Sequence, residues 1–209
     1  MESLYRSRAK LAPIEIVFCR VRTAHQPFLY KLDRVSHWLG EEKNLPSSQK
    51  IIDELKKWDV THVIGLPDNG SAKLFEELRG EPEIDVITVT REGEAFAIAS
   101  GLYVGGKQPV VLIQNTGFLE SGDAIRGTAV NMEIPLVSII GYRGYQTLRP
   151  DSNLHPDSAA TFLEPTLNAW GVPYDIIETD ADIHHISGAF RKAQATSLPT
   201  AVLIIGACS

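Results

Sequence analysis

The sequence predicts an α/β fold of three layers: a doubly wound, mostly parallel sheet of six strands with helices on both faces. Short runs rich in Val and Ile alternate along the chain with segments of helical length. Continuous apolar runs of this kind are typical of strands that are buried on both faces of a parallel sheet. The alternation itself is typical of consecutive βαβ units. With 44% hydrophobic residues among 209, the chain is long enough to bury a sizeable core.

Residues 1–46 form an N-terminal extension ahead of the predicted domain. Residues 14–21 have the composition of a strand, and residues 27–39 place apolar side chains at helical spacing. Two interpretations stay open for this extension, a flexible leader and an interaction arm. The domain is predicted to span residues 47–209, because Ser47 and Ser48 provide a helix N-cap before an amphipathic helix.

The other elements of the domain follow in order. Strands are predicted at 61–65, 84–89, 109–113, 135–140, 174–177 and 200–205, and helices at 49–58, 71–78, 120–131, 159–170 and 181–195, besides one that begins at Glu92. Ligands of such sheets bind beyond the carboxyl ends of the strands. This rule selects three polar stretches, residues 66–70, 114–117 and 141–158.

The segment from Ile84 to Gly117 is the centre of the predicted site. A buried strand leads into a helix that begins at Glu92 and is small or apolar almost throughout until Lys107. We expect this helix to be deeply buried, because it has almost no polar face. A carboxylate in its first turn is favoured by the helix dipole but disfavoured by the loss of water. Glu92 therefore requires an explanation.

A family motif supplies that explanation. Glu92 is followed nine positions later by Gly101, with alanines at 95, 97 and 99 between them, and residues 114–117 are Gln-Asn-Thr-Gly. In this order and spacing, the residues resemble the pyrimidine-binding domain of thiamine-diphosphate-dependent decarboxylases. The similarity is greatest to the sulfopyruvate decarboxylase α subunit and phosphonopyruvate decarboxylase group. The resemblance extends from about Ser47 to Ile205.

The resemblance implies that Glu92 is catalytic. In the family, the matching glutamate hydrogen-bonds N1′ of the cofactor's aminopyrimidine and stabilises the imino tautomer that removes the thiazolium C2 proton. A carboxyl group that gives and takes a proton suits this step. The alternative is a first-turn acid that only compensates the helix dipole. Glu94 has no counterpart in the motif and is expected to be such an acid.

The resemblance also implies roles for the loops after the first and third strands. Four residues are expected to bind the cofactor together with Glu92: Pro67, Gln114, Asn115 and Gly117. Asp68 is expected to face the substrate. The alternative for Asp68, Gln114 and Asn115 is that these side chains cap the helices that follow them.

Arg143, Arg149 and His155 lie in the long polar segment after the fourth strand. We expect Arg143 or Arg149 to hold an anionic sulfonate or phosphonate group by charge-assisted hydrogen bonds. His155 lies where related decarboxylases have proton-transferring histidines, and is predicted to be catalytic. The alternative for all three is an exposed loop without a role in the reaction.

The sequence contains only one of the two domain types that such an enzyme needs. The Gly-Asp-Gly and downstream Asn that bind diphosphate and Mg²⁺ have no counterpart in it. The resemblance therefore implies that thiamine diphosphate is shared with a separate β subunit, that this partner binds Mg²⁺, and that the chain is inactive alone in a homo- or hetero-oligomer. The expected reaction is decarboxylation of 3-sulfopyruvate or 3-phosphonopyruvate to the aldehyde and CO₂. A carboligase of the acetolactate synthase kind and a non-catalytic binding or regulatory protein stay open as alternatives.

Composition bears on partners and location. The net charge of −6 and pI near 5.5 argue against a nucleic-acid surface. Cys19 and Cys208 lack the spacing of a metal or redox motif, which predicts free thiols and a cytoplasmic location. No apolar run reaches the roughly 18 residues of a membrane span, and no pattern predicts a metal site.

Overall fold

The computed structural model describes residues 45–209. The strands are β1 His62–Gly65, β2 Asp85–Thr88, β3 Pro109–Gln114, β4 Val137–Gly141, β5 Tyr174–Ile177 and β6 Thr200–Ile204. The helices are α1 Ser48–Lys56, α2 Ala72–Arg79, α3 Glu92–Val104, α4 Asn115–Glu120, α5 Gly122–Ala124, α6 Ser158–Ala169 and α7 His185–Thr196. A π-helix spans Ile125–Val130, and 3₁₀ helices span Tyr145–Leu148 and Asp180–Asp182. Most of the predicted extension at residues 1–46, with Cys19, lies outside the described residues.

The six strands form one sheet in the order β2-β1-β3-β4-β6-β5, and every neighbouring pair is parallel. Helices α1, α2 and α7 pack on one face of this sheet. Helices α3, α4 and α6 pack on the other face, together with the π-helix. The three-layer α/β fold predicted from the sequence is confirmed, and the sheet is parallel throughout.

Each central strand contributes to both cores, because successive side chains point to opposite faces of the sheet. In β3, Val110 and Leu112 pack under α1, α2 and α7. Val111 and Ile113 pack under the helices of the opposite face. All four side chains are at most 1% exposed. The covering of both faces explains why this strand is a continuous apolar run in the sequence.

Strand β2 corrects one expectation. Its β-branched sequence predicted a strand buried on both faces, but β2 lies at the edge of the sheet and pairs with β1. Asp85 and Thr88 are exposed, and the residues between them are half-buried. Ile84 and Val89, which flank the strand, are buried. The apolar run therefore marks a strand correctly without giving its place in the sheet.

Helix α3 corrects a second expectation, that of deep burial. The side that packs on the sheet consists of Ala95, Phe96, Ala99 and Ser100. The opposite side consists of exposed small or apolar residues: Ala97, Ile98, Gly101 and Val104. Val104 is 69% exposed. The helix is apolar on all sides, yet only one side is covered by the described part of the chain.

The single helix predicted at residues 120–131 is three pieces. Helix α4 begins at Asn115, directly after β3, and ends at Glu120. The break coincides with Ser121, whose Oγ donates to the Gly117 carbonyl at 2.6 Å, a bond that competes with regular helix geometry. The Trp170 ring fills the space beside Gly122, where a Cβ would lie 2.8 Å from it. Side-chain bonding and packing thus override the helical pattern.

The start of α1 is capped differently from the expectation. Ser47 occupies the N-cap position, but its side chain makes no capping hydrogen bond. Asp180 accepts a hydrogen bond from the Ser47 backbone N–H at 2.8 Å and pairs with Lys50. The domain boundary at residue 47 stays a prediction, since residues 1–44 are outside the described part.

The described residues lack two kinds of feature, a membrane-spanning helix and a cluster of metal-binding side chains. None of their helices is both long and apolar enough to cross a bilayer. Among residues 45–209, no group of three or more His, Cys, Asp or Glu side chains is arranged to hold a metal ion.

Candidate functional site

The loops that follow β1, β3 and β4 lie along the same edge of the sheet. The strand register pairs Gly65 with Leu112 and Gln114 with Gly141, so the carboxyl ends of these neighbouring strands are side by side. The helix after β1 packs on one face of the sheet and the helix after β3 on the other. The boundary between β1 and β3 is therefore the topological switch point, where ligands of open α/β sheets bind.

Glu92 and Gly117, which the sequence analysis selected separately, are in direct contact. A Cβ at Gly117 would stand 2.3 Å from Cγ and 2.6 Å from Oε1 of Glu92. Real Cβ atoms do not approach other atoms so closely, so the first turn of α4 needs a glycine for the Glu92 side chain to lie where it does. The head of α3 and the head of α4 thus form one unit.

The Glu92 carboxylate makes no hydrogen bond with any group in residues 45–209. Its neighbours at the start of α3 make theirs with other carboxylates, Thr90 with Glu94 and Gly93 with Glu120. Glu92 itself is half-buried. A half-buried carboxylate with free acceptor atoms at a ligand-binding edge is suited to hydrogen-bond a bound molecule.

Glu94 has the structural role that was expected for it. Its Oε2 accepts hydrogen bonds from the Thr90 backbone N–H at 3.2 Å and from the Thr90 hydroxyl at 3.1 Å. These bonds satisfy donors at the entry to α3, as first-turn acids commonly do. The two acids of this turn therefore differ in their surroundings.

Asn115, the first residue of α4, joins the end of β3 to the loop after β4. It is 0% exposed, and its Nδ2 donates to the Arg143 carbonyl at 2.9 Å. Its Oδ1 accepts from the Thr116 backbone N–H at 3.0 Å. Gln114 is half-buried, and its Oε1 accepts from the Thr116 hydroxyl at 3.0 Å. Cofactor contacts of Gln114 and Asn115 stay predictions, whereas the structural role of Asn115 is direct.

Asp68 holds the turn before α2 and also borders the carboxyl end of β4. Its Oδ1 accepts from the backbone N–H groups of Gly70 at 2.6 Å and Ser71 at 3.2 Å. Its Oδ2 accepts from the Ser71 hydroxyl at 3.1 Å and lies 3.5 Å from where a Cβ of Gly141 would be. These bonds are made to residues ahead of α2 and not to the helix itself, and the substrate role of Asp68 stays a prediction. Pro67, just before it, is half-buried.

The three residues of the long loop are placed differently. Arg143 is exposed and donates to Asp157 Oδ2 at 3.3 Å. Arg149 pairs with Glu178 at 3.3 Å and lies 5.7 Å from the centre of the Tyr145 ring. His155 is exposed, with Nδ1 3.0 Å from the Pro156 carbonyl. Arg143 is linked to the other site residues through Asn115; Arg149 and His155 have no such link within residues 45–209.

A cluster of two tyrosines and a glutamate, of which Tyr142 is buried, supports the loop that carries Arg143. The hydroxyls of Tyr142 and Tyr174 donate to the two oxygens of Glu164, at 2.7 and 2.6 Å. Burial, followed by the hydrogen bond to Glu164, raises the pKa of Tyr142. Both tyrosines therefore stay protonated donors, and they fasten α6 to β4 and β5 beneath the loop.

Sequence reasoning missed two residues of the site, Asp157 and Glu120. Asp157 is the N-cap of α6 and accepts from the Ala159 and Ala160 N–H groups as well as from Arg143. An Asp before a helical segment is a recognisable N-cap signal, but the predicted start at residue 159 concealed it. Glu120, which bonds to the head of α3, gave no signal because its partners are far away in the sequence.

A comparison with known families identifies the domain. The thiamine pyrophosphate enzyme family, N-terminal TPP binding domain, matches residues 47–161, more than half of the 209-residue chain. The chain belongs to this family. The predicted resemblance is therefore confirmed, and the matched residues contain β1 to β4 and the head of α6. All the predicted site residues of this thiamine pyrophosphate enzyme domain lie within the match.

Curated relatives include decarboxylases from archaea and bacteria. The chain is 33% identical over 97 residues to the sulfopyruvate decarboxylase subunit alpha of Methanocaldococcus jannaschii, a match that covers 46% of this chain and 57% of the relative. It is 33% identical over 85 residues to the phosphonopyruvate decarboxylase of Streptomyces viridochromogenes, covering 41% of this chain and 21% of the relative. The chain thus spans little more than half the length of the first relative.

A solved structure supports the fold independently. The thiamine diphosphate-dependent 4-hydroxybenzoylformate decarboxylase of Rhodococcus jostii RHA1 superposes with a TM-score of 0.61 and 19% sequence identity. The superposition covers 78% of this chain and 31% of that one. At this level of identity the likeness concerns the fold alone, and it agrees with the layers and parallel sheet described above.

The arrangement of residues at the switch point fits the aminopyrimidine half of thiamine diphosphate. Glu92 presents a carboxyl group that forms no hydrogen bond within residues 45–209, and Gly117 leaves the room that the Glu92 side chain occupies. An aminopyrimidine ring has a ring nitrogen with which a carboxyl group can share a proton. Among residues 45–209, Glu92 is therefore a candidate to hold the aminopyrimidine, with Gly117 beside it.

Proposed function

We propose that this chain is the pyrimidine-binding, α-type subunit of a thiamine-diphosphate-dependent 2-oxo acid decarboxylase. Its substrate in this proposal is 3-sulfopyruvate or 3-phosphonopyruvate, converted to the aldehyde and CO₂. The observation that carries the proposal is the pairing of Glu92 with Gly117 at the switch point of a thiamine pyrophosphate enzyme fold. The names of the relatives support the choice of substrate class.

Glu92 would share a proton with N1′ of the bound aminopyrimidine. Gly117 leaves the space that the Glu92 side chain occupies, which would place its carboxyl group for this proton transfer. When bound, thiamine diphosphate supplies the nucleophilic carbon and the electron sink that decarboxylation of a 2-oxo acid requires.

The substrate anion would be bound by Arg143. Asn115 holds the backbone of Arg143 beside the end of β3, and Asp157 holds one corner of its guanidinium. A guanidinium has five N–H donors, so the rest can bind a sulfonate or phosphonate in a bidentate way. Asp68 would border the same crevice from the β1 side. Arg149 and His155 stay candidates for anion binding and proton transfer.

The site would be completed by a β subunit that binds the diphosphate and Mg²⁺. In support, the exposed side of α3 is made of Ala97, Ile98, Gly101 and Val104, and this helix begins with Glu92. An uncovered apolar helix face next to a half-formed site favours a partner that covers both. This subunit arrangement, the inactivity of the chain alone and its cytoplasmic location are parts of the proposal.

The proposal is tested by an assay of the chain mixed with a candidate diphosphate-binding subunit. CO₂ and aldehyde release would be followed with thiamine diphosphate, Mg²⁺ and each of three acids: 3-sulfopyruvate, 3-phosphonopyruvate and pyruvate. Glu92→Gln is expected to abolish turnover, since an amide has no acidic proton to share with N1′. Glu94→Gln in the same turn keeps an acceptor for Thr90 and is the matched control, with activity retained.

The outcomes of this assay separate the alternatives. Release of CO₂ from pyruvate with formation of a longer 2-hydroxy-3-oxo acid product would favour a carboligase. Full activity of Glu92→Gln would contradict the proposed role of Glu92. Absence of turnover with every acid, despite a stable complex, would contradict the decarboxylase and favour a non-catalytic binding protein.

A further inference from the structure

Helix α3 begins at a residue that cannot cap it. Arg91 occupies the N-cap position and makes no side-chain capping hydrogen bond, because a guanidinium has donors and no acceptor. The first N–H groups of a helix need acceptors from outside the helix. The acceptor for the backbone N–H that follows Glu92 comes from a different part of the chain.

Glu120, the last residue of α4, supplies the missing acceptor. Its Oε2 accepts a hydrogen bond from the Gly93 backbone N–H at 3.2 Å. Its Oε1 accepts from Arg91 Nε in an ion pair. The two donors belong to the residues immediately before and after Glu92, so a single carboxylate bridges the residue between them.

Helix α4 therefore contacts the head of α3 at both of its own ends. Gly117 in its first turn lies against the Glu92 side chain, and Glu120 at its end binds the Gly93 backbone N–H and the Arg91 side chain. The first contact leaves room for the Glu92 side chain, and the second ties the backbone just after Glu92 to the end of α4.

We propose that Glu120, paired with Arg91, is a positioning residue that holds Glu92 in place for the cofactor. The inference rests on the proposed function of Glu92 and adds to it a residue outside the motif. The three acids have different partners. Glu94 bonds locally to Thr90, Glu120 joins two helices, and Glu92 remains available for a ligand. Arg91 compensates the charge of Glu120, so that a second carboxylate is tolerated close to Glu92.

The first test needs only this chain. Amide hydrogen exchange of Gly93, followed by NMR, reports the bond to Glu120 directly. Glu120→Ala is expected to speed this exchange by about fivefold or more, since an N-terminal cap bond is lost. Glu120→Gln keeps one acceptor oxygen, so the Gly93 amide in this variant is expected to exchange faster than in the wild type and more slowly than in Glu120→Ala. Asp123→Ala is the matched control: it also removes an acid paired with a surface arginine, Arg126, and should leave Gly93 unchanged.

The second test uses the complex loaded with thiamine diphosphate and Mg²⁺. The rate of hydrogen–deuterium exchange at the cofactor's C2 is expected to fall about tenfold to a hundredfold in Glu120→Ala, as for other small misplacements of catalytic groups. The KM for the 2-oxo acid should stay within about twofold, because Glu120 contacts no substrate in this proposal. Circular dichroism melting of each variant verifies that the chain is folded, and Glu120→Gln replaces Glu120→Ala if the latter unfolds.

The results distinguish this inference from the proposed function. If Glu92→Gln abolishes C2 exchange while neither Glu120 variant slows it, Glu92 is catalytic and the positioning role of Glu120 is overturned. If Glu92→Gln leaves C2 exchange intact, the proposed function fails first, whatever the Gly93 amide does. Unchanged Gly93 exchange in Glu120→Ala would overturn the bridge itself.

Discussion

At the scale of single residues, the contact between Glu92 and Gly117 is the feature on which the proposed chemistry depends. The motif places a carboxylate at the head of one helix and a glycine at the head of another, and the fold brings them within van der Waals distance. The glycine is required for space and not for backbone freedom, since it lies in the first turn of the regular helix α4. Its role can therefore be tested by adding one methyl group.

We expect Gly117→Ala to displace the Glu92 side chain, because the added Cβ would lie 2.3 Å from Glu92 Cγ. Overpacking of this kind costs about 1–3 kcal/mol of stability, and C2 exchange of the cofactor should fall as it does in Glu92→Gln. Urea unfolding and the exchange assay measure the two effects.

The control for this substitution is Gly188→Ala in α7, on the opposite face of the sheet. No atom lies within 4 Å of a Cβ at that position, so alanine should be neutral or stabilising by about 0.5–1 kcal/mol. A Gly117→Ala protein as stable and as active as the Gly188→Ala protein would refute the contact.

The motif selected residues that the fold brings to one edge of the sheet, but it did not reveal their contacts. Glu92, Gly117 and Asn115 were selected by motif, and the structure places them along one edge of the sheet. That Asn115 would be fully buried and bonded to the Arg143 backbone was not predictable, because such a bond depends on how two loops pack. The contacts of Glu120 with the head of α3 were not predictable for the same reason.

At the scale of elements, the start of α6 organises the loop that carries Arg143. Asp157 caps the helix through two N–H groups and pairs with Arg143. Gly144, at φ +83°, passes so close that a Cβ there would lie 2.5 Å from Asp157 Cβ. The loop and the helix cap are thus built around one carboxylate.

We expect Asp157→Ala to destabilise the protein by about 0.5–2 kcal/mol, the usual cost of losing an N-cap. The KM for the substrate should rise as well, because Arg143 loses its anchor. Asp151→Ala, in the same loop and exposed, is the control and should change neither value. Chemical unfolding with steady-state kinetics provides the comparison; equal stability of the two variants would argue against the cap.

Another element-level feature is the buried acid between α1 and α7. Glu54 accepts hydrogen bonds from Lys57 and from Ser187, which in turn accepts one from Trp58. Burial raises the pKa of Glu54, but the hydrogen bonds from Lys57 and Ser187 outweigh it and hold the pKa below the ordinary value of 4.5. The ionised form is therefore favoured in the folded state.

This shift implies a defined dependence of stability on pH. A carboxyl group whose pKa is lower in the folded state stabilises the protein above its unfolded pKa, and the contribution is lost as pH falls through the folded pKa. We expect the free energy of unfolding to fall below pH 4.5 more steeply in the wild type than in Glu54→Gln. Glu76→Gln, on the exposed surface of α2, is the control. If the free energy of unfolding of Glu54→Gln depended on pH as in the wild type, the role of Glu54 in this dependence would be contradicted.

Element types were predictable from periodicity, whereas their environments were not. All six strands were located to within a few residues, because apolar runs of β-branched residues are a local signal. The edge position of β2 and the open side of α3 are decided by topology and by partners. The break of α4 into α5 and a π-helix follows from the Ser121 side chain and the Trp170 ring, which no window of sequence reports.

At the scale of the whole molecule, the exposed side of α3 is the feature that a single chain leaves unexplained. Ile98 is 36% exposed and Val104 69% exposed, on a helix without a polar face. Burial of such a face by a partner would be favourable in proportion to its area. The composition of α3 predicted that the helix would be buried on all sides. In the proposed assembly, another chain covers its exposed side.

We expect Ala97→Lys to leave the isolated chain folded, since Ala97 is exposed, and to prevent assembly with the β subunit, because a charge would be buried at the interface. Ala195→Lys on α7 is the matched control, an exposed alanine on the opposite layer. Sedimentation velocity of each variant with the partner measures assembly. Equal assembly of the two variants would mean that α3 is not the contact surface.

The central claim, that this chain holds one half of a shared thiamine diphosphate site, is tested most directly by calorimetric titration of the cofactor with Mg²⁺. The titration is performed on this chain, on a candidate β subunit and on their mixture. We expect measurable binding in the mixture alone, with weaker binding when Glu92→Gln is used. Equally tight binding by this chain in isolation would contradict the shared site, and the absence of binding in all three titrations would contradict the cofactor itself.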